Sequence, residues 1–254
     1  MTDTLTTAQR QWRTRVKFCG LTREADVAAA AQAGADAVGF VLYPASPRAV
    51  TPARAKELAR LLPPFVTPVL LLVNPTASEV EAALQAVPNA TLQFHGDETP
   101  EQCWQLSGQG QRPFIRAARI PIETPVGQAP FDLVEYAHQF SQAQAILLDA
   151  HVTGYGGGGQ AFNWSLLPTN VRSHLVLSGG LTPSNVIDGI HELSHRGLSL
   201  AVDVSSGIEA IGPDGKPRKG IKDAHTMHRF IAAVTQADAQ LRANSARAAQ
   251  QDEQ

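Results

Sequence analysis

Val16-Lys17-Phe18-Cys19, followed at once by Gly20-Leu21-Thr22 and an alanine-rich stretch over 24–33, reads as a short strand turning through a glycine into a helix. Side chains alternate along a strand, so Lys17 and Cys19 share one face while Val16 and Phe18 share the other. The same unit then recurs to the far end of the chain. Strand-like runs fall at 16–19, 37–42, 65–73, 91–94, 113–118, 145–149, 175–178 and 200–204. Helix-like stretches lie between and after them at 24–33, 52–62, 78–86, 100–106, 131–140, 164–167, 183–196 and 221–234. Alternating strands and helices imply parallel strands joined by crossover helices. Eight such units in about 220 residues match an α/β fold of the (β/α)8 TIM-barrel type, in a single domain, better than an open doubly wound sheet. Thr51-Pro52, Thr99-Pro100 and Thr182-Pro183 supply a capping hydroxyl and a first-turn proline, which predicts helix starts at all three.

The outer segments read differently. Residues 1–15 are expected to form a flexible N-terminal extension, 16–234 the barrel, and 235–254 a helix extension that frays into a disordered C-terminal tail. Arg10, Arg13 and Arg15 among several threonines touch on a transit-peptide composition, but Asp3 and the short length favour a frayed terminus. A net charge of −2 leaves no basic footprint for nucleic acid, and no apolar run reaches membrane-spanning length. Two cysteines, Cys19 and Cys103, do not make a disulfide scaffold and fit a reducing cytoplasm. The expected partner is therefore a small molecule, with the chain acting as a monomer or homodimer.

Reacting groups in such a barrel sit at the C-terminal ends of the strands. The first strand ends on Cys19, which taken alone is either a small buried hydrophobe or a thiol that reaches a ligand. The sixth ends on Asp149, either an acid or base or the cap of the next loop; after it comes Gly154-Tyr155-Gly156-Gly157-Gly158-Gly159-Gln160, a stretch able to close over a ligand or to serve as a loose connection. After the second strand, Tyr43-Pro44-Ala45-Ser46-Pro47-Arg48 stiffens a loop and aims an arginine fork suited to a carboxylate. The seventh and eighth strands end in Ser178-Gly179-Gly180-Leu181 and Asp203-Val204-Ser205-Ser206-Gly207-Ile208-Glu209. Glycines and hydroxyls at these two loops point to a phosphate site made by Gly179, Gly180, Ser205, Ser206 and Gly207, with a short extra helix opened by loop eight. His95, in Gln93-Phe94-His95-Gly96-Asp97-Glu98, reads as a hydrogen-bonded core residue rather than a proton carrier. No His, Cys, Asp or Glu cluster has metal-ligand spacing, so neither metal nor cofactor is expected. Lys17 inside a barrel needs a partner, and closure makes strands one and eight neighbours, which nominates Asp203.

These motifs, together with Lys17-Phe18-Cys19-Gly20-Leu21-Thr22, Gly39-Phe40-Val41-Leu42-Tyr43-Pro44 and Leu147-Leu148-Asp149, resemble in order those of the phosphoribosylanthranilate isomerases of tryptophan biosynthesis. The resemblance runs from about Val16 to Phe230. It implies a cofactor-free Amadori rearrangement of N-(5′-phosphoribosyl)anthranilate to 1-(2-carboxyphenylamino)-1-deoxyribulose 5-phosphate. It further implies Asp149 as the acid at the furanose oxygen, Cys19 as the base at C2′, Arg48 on the anthranilate carboxylate, and loops seven and eight on the phosphate. The chain departs from the family pattern at Gly156-Gly157-Gly158-Gly159, where Gly-Gly-Thr-Gly is usual, and at Phe162-Asn163-Trp164, where Phe-Asp-Trp is usual. Two rivals stand beside this reading: a Schiff-base lyase using Lys17, and a catalytically silent phosphate-binding barrel.

Overall fold

The computed structural model describes residues 13–121, 131–151 and 164–252. Eight strands, β1 (Arg15–Cys19), β2 (Ala37–Val41), β3 (Thr67–Leu72), β4 (Thr91–Phe94), β5 (Phe114–Pro121), β6 (Ala145–His151), β7 (His174–Leu177) and β8 (Ser199–Val204), follow one another around a closed barrel. Every pairing is parallel, and β1 meets β8 with Lys17 opposite Asp203. The outer layer comprises α1 (Glu24–Ala33), α2 (Pro52–Ala59), α3 (Ala77–Ala86), α4 (Pro100–Leu106), α5 (Leu133–Gln139), α6 (Val186–Leu193) and α7 (Ala224–Asp252), with a 3-10 turn at Trp164–Leu166 between β6 and β7.

The alternation read from the first strand sorts the core into two bodies. Val16 and Phe18 join Val38, Phe40, Leu70, Leu92, Phe94 and Phe114 in the layer between strands and helices. Inside the barrel, Ala117, Ala145, Leu147 and Val176 fill the lower part, while Cys19, Val41 and Leu71 pack together nearer the rim. Within the barrel, that layering puts the polar groups of the site in the upper interior.

The caps at Thr51 and Thr99 form as the sequence predicts, each hydroxyl accepting from a backbone N–H three residues on, and Thr99 completes a capping box with Gln102. Thr182-Pro183 does not start a helix. Its hydroxyl accepts from the Ser184 N–H and its own N–H donates to Asn185 Oδ1, a local turn that delays α6 to Val186. The helix expected over 221–234 also starts late, because 217–222 form a strand instead: β9 (Glu209–Ile211) and β10 (Pro217–Lys222) make an antiparallel hairpin that the sequence reading missed.

On the N-terminal side the described structure begins before the expected barrel start at residue 16. Arg13 pairs with Asp36, Thr14 donates twice to Asp238 on α7, and Arg15 already belongs to β1; residues 1–12 lie outside the described residues. The helix extension expected after residue 234 is the continuation of α7, which runs unbroken to Asp252; residues 253 and 254 lie outside the described residues. No helix among the described residues is long and apolar enough to cross a membrane. The glycine-rich stretch 154–160 and the Phe162-Asn163 departure also lie outside the described residues.

Candidate active site

Cys19 ends β1 on the inner face, buried against Val41 and Leu71. Its neighbour across the sheet is Gly39, where a Cβ would stand 2.8 Å from the thiol and 3.1 Å from Lys17 Cε and Nζ. Only a glycine leaves this space. Lys17 Nζ donates to Asp203 Oδ1 at 2.7 Å, as the closure of the barrel predicts, and Ser178 Oγ donates to the other Asp203 oxygen at 3.3 Å. Burial alone would drive the Lys17 proton off, but the charges of Asp203 and of Cys19 reverse this and hold the ammonium well above its ordinary pKa. Burial likewise pushes the Cys19 thiol up, and the adjacent Lys17 ammonium pulls back against it. A lysine held so firmly protonated is a poor Schiff-base nucleophile.

Asp149 lies near the C-terminal end of β6, two residues before His151, on the opposite side of the mouth, and Gly179 of loop seven packs on it. A Cβ on Gly179 would stand 3.1 Å from Asp149 Oδ1 and 2.9 Å from the Ala150 nitrogen. His95 Nε2 lies 3.1 Å from Asp149 Oδ2, and Gln93 Nε2 lies 3.0 Å from His95 Nδ1. The Gln93 amide suits either tautomer of the ring, donating through Nε2 or, turned over, accepting through Oε1, so Gln93, His95 and Asp149 form one hydrogen-bonded chain. His95 is thus hydrogen-bonded and buried, as expected, but its partner is the candidate acid itself, which the sequence reading did not foresee.

Loops seven and eight meet. Gly179 and Gly180 adopt φ of 79° and 64°, Asn185 Nδ2 holds the Gly180 carbonyl at 3.0 Å, and Gly207 abuts the Leu181 carbonyl so closely that a Cβ would fall 1.9 Å from it. The short helix expected after β8 is the 3-10 turn Ser206–Ile208. The glycine turn of loop seven, however, does not feed directly into a helix, since α6 begins at Val186.

Arg48 also departs from expectation. Its fork does engage a carboxylate, but the carboxylate belongs to the protein: Nε and Nη2 donate to Glu209 at 2.7 and 3.0 Å, with both side chains buried. Glu209 further accepts from the Gly220 N–H at 2.8 Å and faces Lys222 Nζ at 3.5 Å. Burial would raise its carboxyl, yet Arg48, Gly220 and Lys222 together leave it below its ordinary pKa. Gly20, at φ 73°, fits between Arg48 and Ser205, which places the arginine at the flank of loop eight. Glu209 and Lys222 were given no role in the sequence reading; the signal that could have found them is the turn Gly212-Pro213-Asp214-Gly215, which closes the hairpin. Among the described residues no group of His, Cys, Asp or Glu could hold a metal ion.

The thiol, the carboxyl group and the paired loops thus stand at one barrel mouth. Residues 16–233 match the family model described as N-(5′-phosphoribosyl)anthranilate (PRA) isomerase. The chain belongs to that family. A PRA isomerase of Methylibium petroleiphilum is 56% identical over 232 residues, covering 91% of this chain and 99% of that protein. Among solved structures, the PRA isomerase of Thermotoga maritima superposes with a TM-score of 0.72 at 34% identity, covering 88% of this chain and 99% of the other. A PRA isomerase structure in complex with reduced 1-(o-carboxyphenylamino)-1-deoxyribulose 5-phosphate gives a TM-score of 0.70 at 32% identity, covering 88% of this chain and 99% of that one. The fold class and family resemblance read from the sequence agree with these relatives.

Proposed function

We propose that this chain, as a PRA isomerase of tryptophan biosynthesis, works by general acid and base catalysis with Asp149 as the acid and Cys19 as the base. The carrying observation is the placement of these two groups at the C-terminal ends of β6 and β1, each buried and each touching a second polar group that orients it. Protonated Asp149 gives its proton to the furanose ring oxygen as the C1′–O bond breaks, and the anthranilate nitrogen lone pair closes the iminium. Cys19 as thiolate takes the C2′ proton, and the C2′–H electron pair forms the enolamine, whose hydroxyl tautomerises to the ketone. Charge appears and disappears at both ends of this sequence on buried side chains, so fixed dipoles and neighbours count for more than in solution. Lys17 favours the thiolate, and His95 holds the Asp149 carboxyl group in place.

Gly179, Gly180, Ser205, Ser206 and Gly207 bind the phosphate in this reading. Arg48 binds the anthranilate carboxylate with the Nη1 edge that Glu209 leaves open. The chain needs no cofactor, acts in the cytoplasm, and works as a monomer or homodimer, which sedimentation distinguishes. The test of the whole is the loss of phosphoribosylanthranilate fluorescence with purified protein. Turnover that disappears in Cys19→Ala and Asp149→Asn supports the assignment; an intact fold without any turnover would turn the reading to a silent binding barrel.

A further inference from the structure

Lys222 is buried, titratable and unused in the mechanism above. It projects from β10 with its side chain fully covered, and its three N–H groups meet three acceptors: the Ser205 carbonyl at 2.7 Å, Ser205 Oγ at 3.3 Å and Glu209 Oε1 at 3.5 Å. Its charged neighbours are Glu209 on β9 and Arg48 after β2; the titratable thiol of Cys19 on β1 also faces it but is kept protonated by burial, while Asp26 and Arg23 bond only its backbone. Arg48 and Lys222 therefore share one carboxylate, Glu209. The other nearby pair, Lys17 with Asp203, is balanced. A buried cluster with one positive charge too many is costly without an anion, and this one adjoins Ser205 of loop eight.

We propose that Lys222 is a positioning residue that couples anion binding at loop eight to the uptake of a proton. The inference rests on the assignment of loops seven and eight to the substrate phosphate. An ammonium can only donate, so charged Lys222 engages the Ser205 oxygen as an acceptor and turns the Ser205 O–H outward, towards an anion. A neutral amine can accept that hydroxyl proton instead, which withdraws the donor from the site. Burial and the charge of Arg48, against the opposing pull of Glu209, bring Lys222 down to about 8, so both states are populated at mildly alkaline pH. An added dianion supplies the missing counter-charge and raises that value, and the proton enters with it.

Sulfate is the probe, because it is a dianion that does not titrate in this range. Its dissociation constant, read by calorimetry without reliance on turnover, should be level below pH 7 and rise about tenfold by pH 9. Near pH 8, saturating sulfate should draw up to about half a proton per chain in a pH-stat. Lys222→Arg keeps the charge at every pH and should flatten the profile, while Cys19→Ser should retain the rise, which separates Lys222 from the thiol. Level sulfate affinity from pH 7 to 9 in the parent would overturn the proposal, as would a rise that persists in Lys222→Arg. Proton uptake with benzoate but not with sulfate would overturn the assignment to the phosphate end. Should Lys222→Arg not fold, proton uptake by the parent decides alone. Failure of the isomerase reading looks different: a parent that binds sulfate with proton uptake yet turns over no phosphoribosylanthranilate.

Discussion

Gly39→Ala should disable the chemistry at Cys19 while leaving substrate binding nearly intact. Gly39 lies in ordinary strand backbone, so alanine meets no conformational strain there. The obstacle is space: the new Cβ would sit 2.8 Å from Cys19 Sγ and 3.1 Å from Lys17 Cε and Nζ. Comfortable contact needs about 3.5–4.0 Å, so the thiol must retreat by about 1 Å. The strand cannot yield instead, because the Gly39 carbonyl accepts from both Gly20 and Leu21 N–H and the residue is paired with Val69 on β3. Overpacking of this kind costs about 1–3 kcal/mol, which at this chain length lowers Tm by about 2–12 °C. Displacing a base by about 1 Å costs about 10²-fold in kcat. KM should stay near the parent value, since loops seven and eight and Arg48 are untouched. Fluorescence-monitored turnover and thermal melting of Gly39→Ala, Cys19→Ala and the double variant complete the cycle. Removing Sγ relieves the closest clash, so the double variant should be more stable than the two single losses add up to. A parent-like kcat in Gly39→Ala, or strict additivity in the cycle, would refute the claim that Gly39 is kept bare for the thiol.

Cys19→Ala and Asp149→Asn should each lower kcat by about 10²-fold to 10⁴-fold, and near-normal turnover in either variant removes that residue from the mechanism. Asp203→Asn keeps the shape but strands the buried Lys17 ammonium, so denaturant titration should show a loss of about 3–5 kcal/mol; a loss under about 1 kcal/mol would mean that Lys17 finds another partner. Arg48→Lys should raise KM even with the charge kept, because an ammonium cannot hold Glu209 and a substrate carboxylate in one plane; an unchanged KM places Arg48 outside the site. Because burial raises the Cys19 thiol, the thiolate fraction grows with pH, and kcat should climb between pH 7 and 9. A kcat that is flat over that range would show that the thiol is already ionised in the complex.

The barrel was legible in the sequence because strands buried on both faces read as apolar runs whatever their partners, as Pro68-Val69-Leu70-Leu71-Leu72 does. Lys17 with Asp203 was legible for a topological reason: once eight units are counted, strands one and eight must touch. Thr51 and Thr99 could be read because a cap depends on residues three positions away. Thr182 misled because the same hydroxyl serves a turn equally well, and the sequence does not say which competitor wins. The hairpin was the larger miss. Pro217-Arg218-Lys219-Gly220-Ile221-Lys222 has no apolar alternation, and what fixes it is Glu209 meeting Arg48, 161 residues earlier in the chain. The sequence showed Arg48 as a fork seeking a carboxylate. It could not show that a carboxylate from the hairpin takes one edge of that fork.

The barrel interior explains why the site tolerates so much buried charge. Small apolar residues, Ala117, Ala145, Leu147 and Val176, close its lower part, so stability there is ordinary packing. Above them, among the described residues, the ionisable groups of the site form three networks: Lys17 with Asp203, which also accepts from Ser178; Asp149 with His95, which also meets Gln93; and Arg48 with Glu209, which also meets Lys222. Buried ion pairs repay their desolvation poorly, so a fold selected for stability alone would fill these positions with apolar side chains. What the charges supply is fixed orientation: a thiol that cannot turn away from Lys17 and a carboxyl that cannot turn away from His95. The first network balances its charges, Lys17 against Asp203, and can exist without a ligand. The third does not balance, and it adjoins the loop assigned to the most highly charged part of the substrate.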